Sequence, residues 1–423
     1  MEIWLIYPYG SIPGEGFRPD RVNMLAEKLC QAGHNVTWWG SNYEHRTKKF
    51  RSTDWKDIVV SNNLINRLVP TIGYVKNISI NRICSEIKYA NQIFSKWEKY
   101  HKPDMIIMGE PSLFISRPIM QIVKKSKSAI ILDMGDLWPE LFHIILHKKL
   151  HKLGNIIYFP FYNRRRRLFN KVDAIVALSN SYLKLARKIA PKLSTNFSDT
   201  VYYGMDIIEH RNSMKINNTL PDDLKLADKK HGEIWAIYAS TLGNNYDIDT
   251  LLGAGIELEK IDINVKIIIA GAGPLTDYVR TFIIEKKLTK IIYVGNPDST
   301  LMASIYSVCD IGLSMYLKSS TVSMPIKAFH YFASGLPIIN SLGGDLCQIL
   351  KDNEAGINYE AENIESLVNA IKKLVNNSGL RNSMSEKSFQ LGMTFDIDYQ
   401  YNKFLKIIEK VAIEKNIISN TII

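Results

Sequence analysis

The sequence predicts an α/β protein made of two Rossmann-like, doubly wound domains facing across a cleft. Three observations predict it. Short apolar strand candidates alternate with amphipathic helical stretches, which argues for parallel sheets covered on both faces. Eleven strand candidates are more than one parallel sheet ordinarily holds, so two sheets are more economical. The rhythm breaks once, in the polar segment RNSMKINNTLPDDLKLADKKHG around 210–232, and restarts at IWAIYAS. The length of 423 residues, 46% apolar and 22% charged, is ordinary globular composition and rules out disorder as the default.

In chain order, the first half offers strands at Ile3–Tyr7, Asn35–Trp39, Met105–Met108, Ala129–Leu132, Ala174–Leu178 and Val201–Tyr203. The second half offers Ile234–Ala239, Val265–Ala270, Ile291–Val294, Ile311–Met315 and Pro337–Asn340. Helical periodicity falls between them, for example over 18–32, 81–99, 249–260, 274–287 and 364–374. The expected division is a first domain over 1–205, a linker over 206–230 and a second domain over 231–394. A terminal helical stretch over 395–423 is expected to cross back to the first domain. Open α/β sheets bind ligands at the carboxyl ends of their strands, so the loops there are the candidate sites.

The net charge of +11 is unevenly spread: residues 1–210 carry +13 and the remainder −2. Such asymmetry points the first half at an anionic membrane surface, a phosphorylated lipid or a nucleic acid. The stretch HKKLHKLGNIIYFPFYNRRRRLFNK, residues 147–171, joins the apolar Ile156–Tyr162 to Arg164, Arg165, Arg166 and Arg167. That is the composition of an interfacial anchor, although four adjacent arginines cannot share one helix face. Nucleic acid is disfavoured because no recognition module is visible. No apolar run approaches a spanning helix, and the N-terminus lacks a basic signal-peptide region. Cys30, Cys84, Cys309 and Cys347 are scattered without metal-ligand spacing, as in a reduced, zinc-free cytosolic protein.

Four motifs stand at strand ends. The loop YPYGSIPGEGFRPDR carries Gly10, Gly14 and Gly16, then Arg18 and Arg21 at a helix start where cations oppose the dipole. A ligand phosphate would explain that placement, as would a solvated loop. IIIAGAGPL has Gly271-x-Gly273 without the third glycine of a dinucleotide fingerprint, so NAD is disfavoured. DMGDLWPE sets Asp133, Asp136, Trp138 and Glu140 near a strand end, suited to sugar hydroxyls and a pyranose face, or to a tight turn. STVSMPIKAFHYFASGLPIINSLGGDL, residues 320–346, puts Lys327 and His330 three apart on one helical face, able to point together at a ligand. The Gly343–Gly344 turn opens the next helix.

Taken in order, these segments resemble GT-B fold glycosyltransferases of the large retaining family 4, of the O-antigen or capsule type. LAEKLCQAGHNVTWWG, DMGDLWPE, KVDAIVALSNSY, YASTLGNNYDIDTLLGA, IIIAGAGPL and MPIKAFHYFASGLPII are each similar to a family segment. The resemblance implies a nucleotide-sugar donor bound mainly to the second domain, with no obligatory metal and no other cofactor. The acceptor, a lipid-linked saccharide, would lie over the first domain. By position, Ser240, Thr241 and Gly243, Gly271 and Gly273, Lys327, His330, Gly343 and Gly344 would hold the donor. Lys327 and the glycine turn would stabilise the leaving diphosphate. Gly14 and Gly16, with Arg18, Arg21 and Trp138, would serve the acceptor and its phosphate, and Asp136 would place the acceptor hydroxyl. A front-face retaining reaction needs no protein nucleophile.

Two departures stand out. Val322 and His330 occupy the positions of the family's paired glutamates, and the first donor-domain loop, STLGNNYD, lacks the usual Arg and Lys. The expected protein is cytoplasmic and peripheral at the inner face of the membrane. The alternatives are a nucleotide-sugar epimerase on the same fold and a catalytically silent partner in polysaccharide assembly.

Overall fold

The computed structural model describes residues 1–110, 112–145, 153–193, 197–216 and 229–419. The chain divides into two compact units: Met1–Tyr202 with Tyr401–Ile423, and Tyr203–Gln400. Part of the expected linker (217–228) and part of the basic-aromatic stretch (147–152) lie outside the described residues.

The strands of the first unit are β1 (Glu2–Ile6), β2 (Asn35–Ser41), β3 (Tyr43–Glu44), β4 (Lys49–Phe50), β5 (Lys56–Ser61), β6 (Leu64–Val69), β7 (Met105–Gly109), β8 (Ala129–Met134), β9 (Ala174–Ala177) and β10 (Ser198–Thr200). Among the described residues eight of them form one sheet in the order β10-β9-β8-β7-β1-β2-β6-β5. Neighbours run parallel except at the β5 edge, which pairs antiparallel with β6. Strands β3 and β4 form a separate antiparallel ribbon. Ile106, Ile107 and Met108 in β7 and Ile131 and Leu132 in β8 have no exposed surface, as strands covered on both faces require. The polar residues Glu110 and Asp133 arrive only where these strands end.

The hairpin β5–β6 escaped the sequence reading because SNN interrupts its apolar run and Asn66 and Arg67 stand inside β6. The strand expected at Val201–Tyr203 is instead β10, three residues earlier. Beyond it the Val201 N–H still bonds back to the sheet, at the Ala177 carbonyl.

The second unit holds β11 (Ile234–Ala239), β12 (Val265–Ala270), β13 (Ile291–Tyr293), β14 (Ile311–Ser314), β15 (Ile338–Asn340) and β16 (Gly356–Asn358). They form one parallel sheet in the order β13-β12-β11-β14-β15-β16. The strand order reverses beside β11, the place where open α/β sheets leave a crevice. A helix, Ile207–Ile216, fills the start of the expected linker and is part of this unit. The helix Ile397–Glu414 carries the chain from the second unit to the first, and Tyr401, Phe404, Ile408 and Val411 are buried.

Candidate active site

In the second unit the loops after β11 and β12 interlock through bare backbone. A Cβ on Gly271 would lie 1.9 Å from the Ser240 carbonyl oxygen, and one on Gly273 would lie 2.3 Å from that of Leu242. Gly271 also sits at φ +138°, where side chains are strained. Leu242 N–H donates to Ala272, and Leu275 N–H returns a bond to Leu242. The two glycines therefore draw the Ser240–Thr241–Gly243 loop onto the Gly-x-Gly-Pro turn, with Thr241 left exposed.

The Gly343–Gly344 turn caps the helix Gly344–Asn353. Gly344, at φ +67°, is closed in by Ser323, whose hydroxyl would lie 2.6 Å from a Cβ there. Around Gly343 a Cβ would meet nothing within 4 Å, so the helix N-terminus opens onto free space on that side. Such an end favours negative charge.

Lys327 departs from its expected setting. Its ammonium is enclosed by three phenol rings, 4.6 Å from the centre of Tyr238, 4.7 Å from Tyr246 and 4.6 Å from Tyr316. The nitrogen is buried and has no hydrogen-bond partner among the described residues. Burial pushes its pKa well below the ordinary lysine value. His330 turns elsewhere. Its ring stacks on Tyr306 with centroids 5.8 Å apart and lies 5.4 Å from the His210 ring. The two side chains do not converge as their spacing suggested, because the cage of Tyr238, Tyr246 and Tyr316 encloses one and the Tyr306 helix the other.

The first unit corrects three more expectations. Arg21 is spent on structure. Its Nε and Nη2 donate to the two Asp133 oxygens at 2.7 and 2.8 Å, and Nη1 donates to the Val201 and Tyr202 carbonyls. Burial disfavours its charge, but Asp133, Tyr401 and Tyr7 together outweigh that and raise its pKa. Trp138 is 4% exposed, packed with Phe114 and Phe142 rather than offered to a pyranose. Arg165 is turned inward, its fork on the Glu140 carboxylate at 2.6 and 2.8 Å and on the Trp138 carbonyl. Arg166 and Arg167 are exposed, and Arg164 is half-buried. Ile156 and Phe159 beside them are 73% and 62% exposed.

The Gly14–Gly16 tip and Arg18 are exposed, and both glycines have positive φ with open space around them. The loop base is pinned: Arg51 holds Glu15 at 2.7 and 2.8 Å and the Gly10 carbonyl at 2.7 Å. Asp136 is open to solvent. Crowding by protein raises its pKa, against the pull of Arg82.

One group was missed in the sequence. Glu110 follows β7, and its carboxylate accepts from the Ser112 N–H at 2.7 Å and the Ser112 hydroxyl at 2.8 Å. Burial raises its pKa to about 7; the Ser112 bonds oppose this and Asp136 adds to it. A carboxylate titrating there can accept a proton near neutral pH. The signal was available: an acid one residue past an apolar strand, GEPS, at the carboxyl end of a sheet.

Residues 223–391 match the family model "Glycosyl transferases group 1". An uncharacterized glycosyltransferase of Methanocaldococcus jannaschii is 26% identical over 164 residues, 39% of this chain and 43% of the relative. The chain thus spans less than half the length of that curated relative. Among solved structures, α,α-trehalose 6-phosphate synthase from Burkholderia multivorans is similar with TM-score 0.70 and 11% identity, covering 100% of this chain and 99% of the other. HepE of Anabaena, solved in complex with UDP, gives TM-score 0.68 and 11% identity over 97% and 100% of the two chains. The chain therefore has the GT-B fold, with the glycosyl transferases group 1 pattern over residues 223–391.

Proposed function

We propose that the chain is a glycosyltransferase. It moves a sugar from a nucleotide-sugar donor held by the second unit to a saccharide acceptor held by the first, with retention at the anomeric carbon. The observation that carries this reading is the Lys327 side-chain nitrogen, buried without a hydrogen-bond partner among the described residues, within the stretch that matches the group 1 transferases. Burial disfavours the charged form of Lys327 in the empty protein, and a donor diphosphate would favour it. The open N-terminus at Gly343 offers main-chain N–H groups to the same charge. HepE, of the same fold, is described in complex with UDP and with UDP-glucose, which supports a nucleotide-sugar donor.

In the reaction the bond from the anomeric carbon to the diphosphate oxygen breaks, and the acceptor hydroxyl forms the new bond and gives up its proton. Glu110 and Asp136 are the carboxylates we assign to that hydroxyl. The acceptor is lipid-linked in this reading, and the protein works at an anionic cytoplasmic membrane face in cell-surface polysaccharide synthesis. Exposed Ile156, Ile157 and Phe159 beside Arg166 and Arg167 supply both terms of interfacial binding. Among the described residues no helix is long and apolar enough to cross a membrane.

A thermal-shift panel with UDP, GDP, ADP, CMP and their sugar conjugates tests the donor assignment. A ligand at 100 times its Kd adds about 2.7 kcal/mol of stability. A shift with one diphosphate names the base. A flat panel overturns the transferase reading in favour of a silent assembly partner, which His330 at the usual glutamate position would then explain.

A further inference from the structure

We propose that the first unit recognises an anionic saccharide, a sugar bearing a phosphate or a carboxylate, with its charged group against Arg82 and Lys48. The proposal rests on the transferase reading and names the class of its acceptor.

Arg82 lies in the first turn of the helix Ile80–Lys96, which follows β6. Its guanidinium lies 4.8 Å from the ring centre of Tyr9 and 4.9 Å from that of Trp138. Its Nε donates to the Tyr9 hydroxyl and to Glu86 Oε1, both at 3.0 Å, and Nη1 donates to the Asn77 carbonyl at 2.7 Å. Nη2 meets no acceptor among the described residues, and it is not among the nitrogens sealed from solvent. The cation is therefore fixed in orientation by two rings and three bonds, with one edge of its fork unspent. A planar fork held in place is the geometry that reads phosphate and carboxylate oxygens.

A second cation lies within electrostatic reach of Arg82. Lys48, at φ +60°, sets its ammonium 4.8 Å from the centre of the Tyr74 ring and donates to Asn77 Oδ1 at 2.5 Å. His45 lies within the field of both cations, its ring 5.0 Å from Tyr9 and its Nδ1 2.6 Å from the Tyr74 hydroxyl. Burial, then Arg82, then Lys48 push the His45 pKa down to about 4, and Glu44 opposes them more weakly. Among the charges acting on this imidazole, Arg82 and Lys48 together outweigh Glu44. Of the other acids, Glu86 is buried on Arg82 and Tyr9, and its pKa is raised by that burial. Asp136, also within the field of Arg82, repels a bare anion but accepts from hydroxyls. Half-buried Tyr9 and His45 add ring surface and polar edges. A ligand with both an anionic group and hydroxyls satisfies all of these groups, whereas a neutral sugar offers the unspent guanidinium edge only hydroxyl acceptors, without a charge-assisted bond.

The test titrates the full-length protein with glucose 6-phosphate, glucuronate and glucose, read by ligand-observed NMR and calorimetry. One of the anionic sugars is expected to bind at least about tenfold tighter than glucose, with the advantage shrinking at high salt. Preference for the phosphate or for the carboxylate names the source of the charge. Arg82→Gln is expected to weaken the anionic sugar about 10- to 100-fold and to leave glucose unchanged. Lys48→Gln, nearer the surface, is expected to weaken it about three- to tenfold and keeps the test decisive if Arg82→Gln does not fold. Nucleotide binding, read in parallel, should be unaffected by either change. Equal binding of all three sugars, or unchanged affinity in Lys48→Gln, overturns the anionic acceptor while intact nucleotide binding leaves the transferase standing. Loss of nucleotide binding by the unsubstituted protein overturns the transferase reading instead.

Discussion

The Arg21 guanidinium and the Asp133 carboxylate meet fork to fork, Nε to Oδ2 at 2.7 Å and Nη2 to Oδ1 at 2.8 Å, with side-chain exposures of 8% and 1%. Tyr7 adds a third bond to Asp133 at 2.6 Å. Removing one partner strands a buried charge, so Arg21→Ala should destabilise the protein by about 3–5 kcal/mol. Urea unfolding checks it. A phosphate-binding arginine would instead change ligand affinity and leave the unfolding midpoint nearly fixed.

Lys327→Met should behave in the opposite way. Replacing an unpaired buried ammonium with an apolar chain of similar length is expected to leave stability unchanged or raise it by about 1 kcal/mol. Nucleotide affinity is expected to fall about 10- to 100-fold. Because burial lowers the lysine pKa in the free protein, and a diphosphate favours the charged form, binding should take up a proton. Affinity is then constant below the free-protein pKa and falls as pH rises from there towards the bound value. Calorimetry in buffers of different ionisation heat reads the proton. Unchanged affinity and no proton uptake would reduce the tyrosine cage to a structural feature.

Glu110 should set the acid limb of the rate profile. Its carboxyl is raised to about 7, so the ionised form is lost as pH falls through that value and turnover should fall with it. Glu110→Gln is expected to lower kcat about 100-fold or more and to flatten that limb. A limb that persists in the variant assigns the titration to another group.

Vesicle flotation separates the four arginines. Arg166→Gln with Arg167→Gln should cost about 2 kcal/mol of binding to anionic vesicles, at roughly 1 kcal/mol per basic residue. Ile156→Ser with Phe159→Ser should weaken binding to neutral and anionic vesicles alike. Arg165→Gln should leave flotation intact and lower stability, because it strands Glu140.

Strand existence was legible in the sequence wherever an apolar run was unbroken, as at Ile234–Ala239 and Val265–Ala270, which match to the residue. It was not legible at β5–β6, where Asn66 and Arg67 are buried inside the strand. There Arg67 is neutralised by Asp57, ten residues away across the hairpin, at 2.8 and 2.7 Å. The candidate loops were legible as loops because glycine and proline mark them. What the glycines do was not: Gly271 and Gly273 serve the interlock with Ser240 and Leu242, a contact set by neighbouring strands.

The sequence by itself determined the alternation of strands and helices, the two-sheet division, and which loops stand at carboxyl ends. These follow from local periodicity and backbone propensity, which act within a few residues. Only the tertiary structure decided which charged side chains remain available. Arg21 and Arg165 are consumed by Asp133 and Glu140, Lys327 is shut among three tyrosines, and Arg82 keeps one edge of its fork unspent. Charge partners and desolvation depend on groups brought together from distant positions in the chain, as Arg21 and Asp133 are, and no local pattern encodes them.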